Sequence, residues 1–494
     1  MKQYHLFKYA NGKSLAEING SVEVPKNKGF LRTLLAYTGP GSLVAVVLIS
    51  TILLSSLMAM LLQNMSAKLG IVTQLDLAQA IRLHTDKFLS VILWLIAELA
   101  IMATDVAEVI GAAIALNLLF KIPLIVATLI TILDVLFLLF LSKIGFRKIE
   151  ILVSCLIFVI LFIFAYEVIL SRPNWINIGF GLLPSSKMLA KTPIIGGISP
   201  LSGSLGIIGA TVMHHNFYLH FGICQVRKID SRNSKEIRQA VKYTEADSNI
   251  QLTVAFIINS LLLIMGAAVF KSGAVQDNSF FGLYTALNNT AMLSNLILIN
   301  VAKTGALSTL FAIALLASGQ NSTITGTLTG QLVMEGFIHL NMPMWARRLI
   351  TRLFSVIPVI ICVSLTARAS IARQHFVLNM LMENSQVFLA FAVPFTIIPL
   401  LILTDSKKLM GEFANSYVVS VLGWSSSLIL IFLNLYNLPE TFVTFNFCNP
   451  DLAKVVAYLI IAIILFLLVW TCVEMLGVDI SKLRRKFVLS NRRI

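Results

Sequence analysis

The feature that most constrains this chain is a series of apolar runs long enough to cross a bilayer. They fall near residues 42–62, 89–119, 122–142, 149–171, 203–223, 248–270, 296–317, 348–366, 385–404, 417–437 and 453–477, about eleven in all. Roughly 20 apolar residues in a helix match the hydrocarbon thickness. Lipid offers no partner to a backbone N–H or C=O, so each run must satisfy its own groups as a helix. The chain reads as an all-α polytopic membrane protein with the lipid bilayer as its solvent.

Composition removes the rivals. Apolar residues make up 57% of the chain and charged ones 12%, against about 25% charged in soluble domains. A mean hydropathy of +0.87 leaves too few polar residues to cover a water-soluble surface. The net charge of +15 would suggest nucleic acid in a soluble protein. In a membrane protein such an excess collects in cytoplasmic loops, so no nucleic-acid partner is expected. Cys155, Cys224, Cys362, Cys448 and Cys472 show no paired spacing, which argues against a disulfide framework or a thiolate metal site. Residues 1–30 are polar and basic, so a cleaved signal peptide is not expected. No Walker loop, HExxH, GxSxG or Rossmann fingerprint occurs, and the chain reads as no enzyme.

The basic residues order the spans. They gather around Lys68 to Lys87, Lys143 to Lys148, Arg227 to Lys242, Arg347 and Arg348, Lys407 and Lys408, and in the tail at 478–494. Every second loop is thus basic, which puts the C-terminus in the cytoplasm. The N-terminal segment, 1–41, is basic as well. It belongs inside, yet so does the loop beyond span 42–62, and one helix cannot satisfy both. Two inverted repeats are a common transporter plan. Residues 203–404 hold five spans, 417–477 hold two additional helices, and 42–171 hold only four. Either the first segment is re-entrant, or the orientation rule is broken, or a span is absent, and the count points to one helix of the first repeat missing near Val47–Ile52.

Three clusters carry chemistry. Gly209 to His220 reads Gly-Ala-Thr-Val-Met-His-His-Asn-Phe-Tyr-Leu-His, with Gly203 and Gly206 ahead of it. An unwound helix here frees carbonyls such as that of Ala210, and the Met213 thioether favours transition metals over harder ions. A packed seam with hydrogen-bonded histidines accounts for the same residues equally well. Glu98, Asp105 and Glu108 are spaced by seven and three, which sets three acids on one helix face. That face suits a proton path or a cation-lined cavity; pairing with Arg348 and Arg352 to hold helices together is the plainer role. Asp134 is a lone acid for which a structural role is at least as good. Ala317 to Thr327, Ala-Ser-Gly-Gln-Asn-Ser-Thr-Ile-Thr-Gly-Thr, follows an apolar span on the cytoplasmic side, where it suits an inner vestibule or a helix-ending loop. Gln386 is a single amide within span 385–404.

At these residues the chain resembles the Nramp family, in particular its bacterial proton-coupled manganese transporters. The matching stretches are Thr38-Gly-Pro-Gly41, the run Ala67–Ala78, Ala103-Thr-Asp-Val-Ala-Glu-Val-Ile-Gly111, Gly209-Ala-Thr-Val-Met213, His215-Asn216 and Ala317–Thr327. The resemblance implies a LeuT-like inverted-repeat fold in a bacterial cell membrane. It implies uptake of Mn²⁺, and of Fe²⁺ or similar ions, by proton symport in a monomer, with the metal as substrate and no cofactor. By position it implies metal contacts from the Ala210 carbonyl, the Met213 sulfur and Gln386. It implies a proton route through His215, Asp105 and Glu108, with Glu98 and His220 near it and Arg348 and Arg352 as basic partners.

Two departures stand out. The family's first broken helix carries an Asp-Pro-Gly-Asn motif whose Asp and Asn bind the metal, and no such motif occurs in this chain. A site without that carboxylate predicts weak or absent coupled transport. A non-transporting relative (sensor, scaffold or decaying gene product) is the alternative, and a channel or a carrier for another solute is a third. His214 stands where the family has Pro, which restores a backbone donor and weakens the case for a helix break there.

Overall fold

The computed structural model describes residues 42–133, 146–171, 173, 175–184, 204, 207–208, 211–224, 233–268, 280–290, 293, 296–340, 342–366, 370–444 and 450–477. Their regular structure is helical almost throughout. α1 covers Ser42–Thr73. Asp76 then starts the short α2 (Leu77–His84) with a reciprocal cap. Its carboxylate accepts from the Gln79 N–H, and the Gln79 side chain accepts from the Asp76 N–H. Asp86 caps α3 (Lys87–Phe120) by accepting from the Leu89 N–H. Next come α4 (Leu124–Ile130), α5 (Phe146–Ser171) and α6 (Trp175–Gly181). Beyond them lie α7 (His214–Cys224), α8 (Ser234–Ala268), α9 (Phe280–Asn288) and α10 (Leu296–Ala302). The last group is α11 (Ala306–Ile338), α12 (Met344–Thr366), α13 (Ile371–Ala392), α14 (Pro394–Asp405), α15 (Tyr417–Thr444) and α16 (Pro450–Gly477).

Among the described residues six helices are long and apolar enough to cross a membrane: Leu48–Thr73, Lys87–Phe120, Ser234–Ile264, Trp345–Thr366, Tyr417–Tyr436 and Asp451–Gly477. Burial follows a membrane solvent. Phe162 is 69% exposed and Leu459 62% exposed, while the bulkiest fully buried side chains are Arg348 and Arg352. Apolar groups face outward because lipid receives them without cost, and charges turn inward to find partners. α3 packs most extensively on α11, and α1 on α8.

Several elements differ from the sequence reading. Ala317–Thr327 is not a loop at the end of a span; it lies in the middle of α11. Two of its hydroxyls bond back to the helix: Thr327 donates to the Thr323 carbonyl at 2.7 Å and Thr325 to that of Ser322 at 3.1 Å. Such back-bonding lets Ser and Thr sit inside a helix. The expected span 296–317 is divided, because the chain turns at Gly305 with φ +71 before α11 begins. Span 203–223 is broken despite His214. Thr211 is helical, Val212 bends, Met213 is irregular, and α7 starts afresh at His214. The segments 1–41 and 478–494, together with Asp134 and Ala210, lie outside the described residues.

Candidate functional site

Three buried acids of α3 meet three buried arginines of α12. Arg347 Nη2 donates to Glu98 Oε1 at 2.5 Å, and Arg348 Nη1 to Asp105 Oδ1 at 2.5 Å. Arg348 Nη2 also reaches Glu108 Oε2 at 3.4 Å, and Arg352 Nη1 lies 3.8 Å from the same oxygen. Arg352 Nε donates to the Thr131 carbonyl at 3.4 Å. The spacing of seven and three residues lines the acids up. The Arg-Arg-x-x-x-Arg pattern of α12 presents a matching row. Every one of these side chains is about nine-tenths buried or more. Charges in such a setting persist only as pairs.

Two groups completing this network were not singled out in the sequence. Arg347, counted there only as an inner-loop charge, is the partner of Glu98. Ser322 and Thr323 of α11 both donate to Glu108: Ser322 to Oε1, and Thr323 to Oε2 at 3.1 Å. Glu108 thus holds two hydroxyl donors and two guanidinium neighbours. A signal for Arg347 existed in the pairing of two adjacent arginines with a third five residues on. A signal for Ser322 and Thr323 existed in the apolar residues on both sides of the Ala317–Thr327 stretch, which mark it as helix interior. Gly330 of α11 makes room for Arg347, since a Cβ there would fall on the guanidinium.

The broken segment is held by α1. Thr51 and Ser204 hydroxyls are 3.3 Å apart, Ser55 donates to Thr211 Oγ1 at 3.2 Å, and Ser66 donates to the Phe217 carbonyl at 2.7 Å. The backbone is therefore anchored on both sides of Val212–Met213. Met213 and His215 are buried there, and His220 is half-buried. At the break the Val212 N–H still donates to the Ile208 carbonyl and the Met213 carbonyl accepts from the Asn216 N–H, and the Met213 thioether is a soft donor group. Gln386 lies on α13, with its side chain outside the described ones. Among the described residues no group of three His, Cys, Asp or Glu side chains gathers as a ready cation cage.

Below the acid face, α2 docks on the end of α11. A Cβ on Gly336 would lie 2.5 Å from Ala78 Cβ and 2.6 Å from Asp76 Oδ1, so glycine there permits the contact. Burial pushes the Asp76 carboxyl up to about 7; the Gln79 N–H pulls it down and the nearby Glu335 charge adds to the rise. Gln331 Nε2 donates to Glu335 Oε1 at 2.5 Å.

Comparison with known proteins follows the same lines. The family described as natural resistance-associated macrophage protein-like, Nramp, matches residues 33–440. The chain is 53% identical over 449 residues to the divalent metal cation transporter MntH of Levilactobacillus brevis, covering 87% of this chain and 94% of that one. It is 50% identical over 462 residues to MntH of Lacticaseibacillus casei, covering 89% and 97%. A crystallised variant of the Eremococcus coleocola manganese transporter superposes with a TM-score of 0.89 at 53% identity, over 96% of each chain. A nucleobase-cation symporter in a closed conformation superposes at 0.50 with 13% identity, over 92% of this chain and 91% of its own. That last likeness concerns the fold alone, which is the LeuT-like one.

Proposed function

The chain belongs to the Nramp family, and on that premise we propose that it imports divalent transition-metal ions, Mn²⁺ and also Fe²⁺ or similar ions, by proton symport. The relatives' names supply the substrate class. One observation carries the reading to this chain: an interrupted helix at Val212–Met213 beside an acid face whose charges are all met by arginines. In this reading the Ala210 carbonyl and the Met213 sulfur hold the metal, and Gln386 joins it in some states. Protons pass along His215, Asp105 and Glu108, with Glu98 and His220 near them and Arg348 and Arg352 as counter-charges. The two repeats, 42–171 and 203–404, move against each other to alternate access, and a monomer suffices.

The missing Asp-Pro-Gly-Asn motif sets the rate. A divalent ion held without a carboxylate lacks charge neutralisation, so transport is slow. The test is Mn²⁺ uptake into proteoliposomes with the acid side outside. Slow, saturable, proton-stimulated uptake that Met213→Ala abolishes supports the proposal. Uptake as fast as in complete relatives would show the motif to be dispensable. No saturable uptake, or uptake indifferent to Met213→Ala, refutes the reading.

A further inference from the structure

Every acid of the α3 face has a guanidinium beside it, but among the described residues one buried acid elsewhere has neither an ion pair nor a hydrogen bond. Glu167 lies on α5, is 0% exposed, and sits between Phe164 and Val168 in the apolar core shared with α8 and α11. Both of its carboxyl oxygens are buried, and among the described residues neither has a hydrogen-bond partner. No ion pair reaches it either among the described residues.

Among the described residues the elements packed most closely on α5 are α8, α10 and α11. The ionisable residues of α8 run from Lys235 to Asp247, in its N-terminal half. α11 has only Glu335, near its C-terminus and already bonded to Gln331. α10 has none, and Lys303 just beyond it is exposed. On α5 itself Tyr166 is exposed, and the other charges are at 147–150. An ionised carboxylate with neither donor nor counter-charge in an apolar core is the least favourable state that side chain can take. A neutral carboxyl avoids that penalty, and the group neutralises instead.

We propose that Glu167 is a second proton-binding site of this chain, holding a proton in the membrane interior apart from the Glu98–Asp105–Glu108 face. Its ligand is the proton alone, since a lone carboxylate offers too few donors for a metal ion. The link to transport rests on the proposed proton symport. A carboxyl that ionises only when its surroundings open to water would bind or release its proton with the conformational cycle.

Infrared spectroscopy of the purified full-length protein tests the proton directly. At about neutral pH the wild type should show a protonated-carboxyl C=O stretch that is lost in Glu167→Gln. Absence of any such wild-type-specific band overturns the proposal. Resistance to unfolding in detergent is a second readout, and Glu167→Leu serves if the Gln variant does not fold. From about pH 5 to about pH 9 wild-type resistance should fall more steeply than that of the variant, because the unfolded chain releases this proton first. Equal slopes count against the site. Neither readout requires metal movement, so loss of the transport reading and loss of the proton site are distinguishable.

Discussion

Arg347→Met removes one side of an ion pair that has no second partner among the described residues. The bond joins Arg347 Nη2 to Glu98 Oε1 at 2.5 Å, with side chains 4% and 10% exposed. Glu98 Oε2 and Arg347 Nε are buried and unbonded among the described residues, so the pair hangs on a single contact. Truncation leaves the carboxylate buried and uncompensated, which costs about 3–5 kcal/mol. Replacing both partners, Glu98→Leu with Arg347→Met, removes the desolvation penalty together with the attraction. The double variant should lie within about 1 kcal/mol of wild type, or above it. Gly330→Ala pushes on the same guanidinium, so it should destabilise the wild type and have little effect in the Arg347→Met background. Unfolding in mixed SDS and detergent micelles measures all of these. If Arg347→Met costs less than about 1 kcal/mol, or the double variant is no better than the worse single one, the pair is not the buried contact described above.

Asp76 gives a pH prediction. Its folded-state value of about 7 lies above the ordinary 3.8, so the unfolded chain loses the proton first. Stability should therefore fall as pH rises from about 4 to about 7 and level off above, by on the order of 4 kcal/mol for this group. Asp76→Asn keeps the helix cap and should flatten that slope in pH-dependent unfolding. On α11, Ser322→Ala and Thr323→Val each remove a donor from the Glu108 carboxylate and should cost about 1.5–3 kcal/mol. Thr329→Val loses only a bond to its own helix, at the Thr325 carbonyl, and should cost less than about 1 kcal/mol in the same assay.

The acid face was legible because a helix repeats every 3.6 residues, so positions 98, 105 and 108 share a side whatever surrounds them. The irregular turn at Val212–Met213 was legible in the glycines that precede it. The helix break survives His214, which local propensity alone argued against. Anchoring by α1 on both sides of it, through Ser55 and Ser66, outweighs one regained backbone donor. The Ala317–Thr327 stretch was misplaced for the opposite reason. Its composition resembles a loop, but in lipid a hydroxyl bonded to the preceding turn costs little.

Taken alone, the sequence determined the class and that Glu98, Asp105 and Glu108 share one helix face. Those follow from hydrophobicity and helical period, which act locally along the chain. Partner choice was decided only by the tertiary structure. Arg347 meets Glu98, Ser322 and Thr323 meet Glu108, and Glu167 meets no donor among the described residues, because α12, α11 and α5 come from distant parts of the chain. A buried charge is stable or not according to what stands within a few ångströms of it, and that distance exists only in the fold.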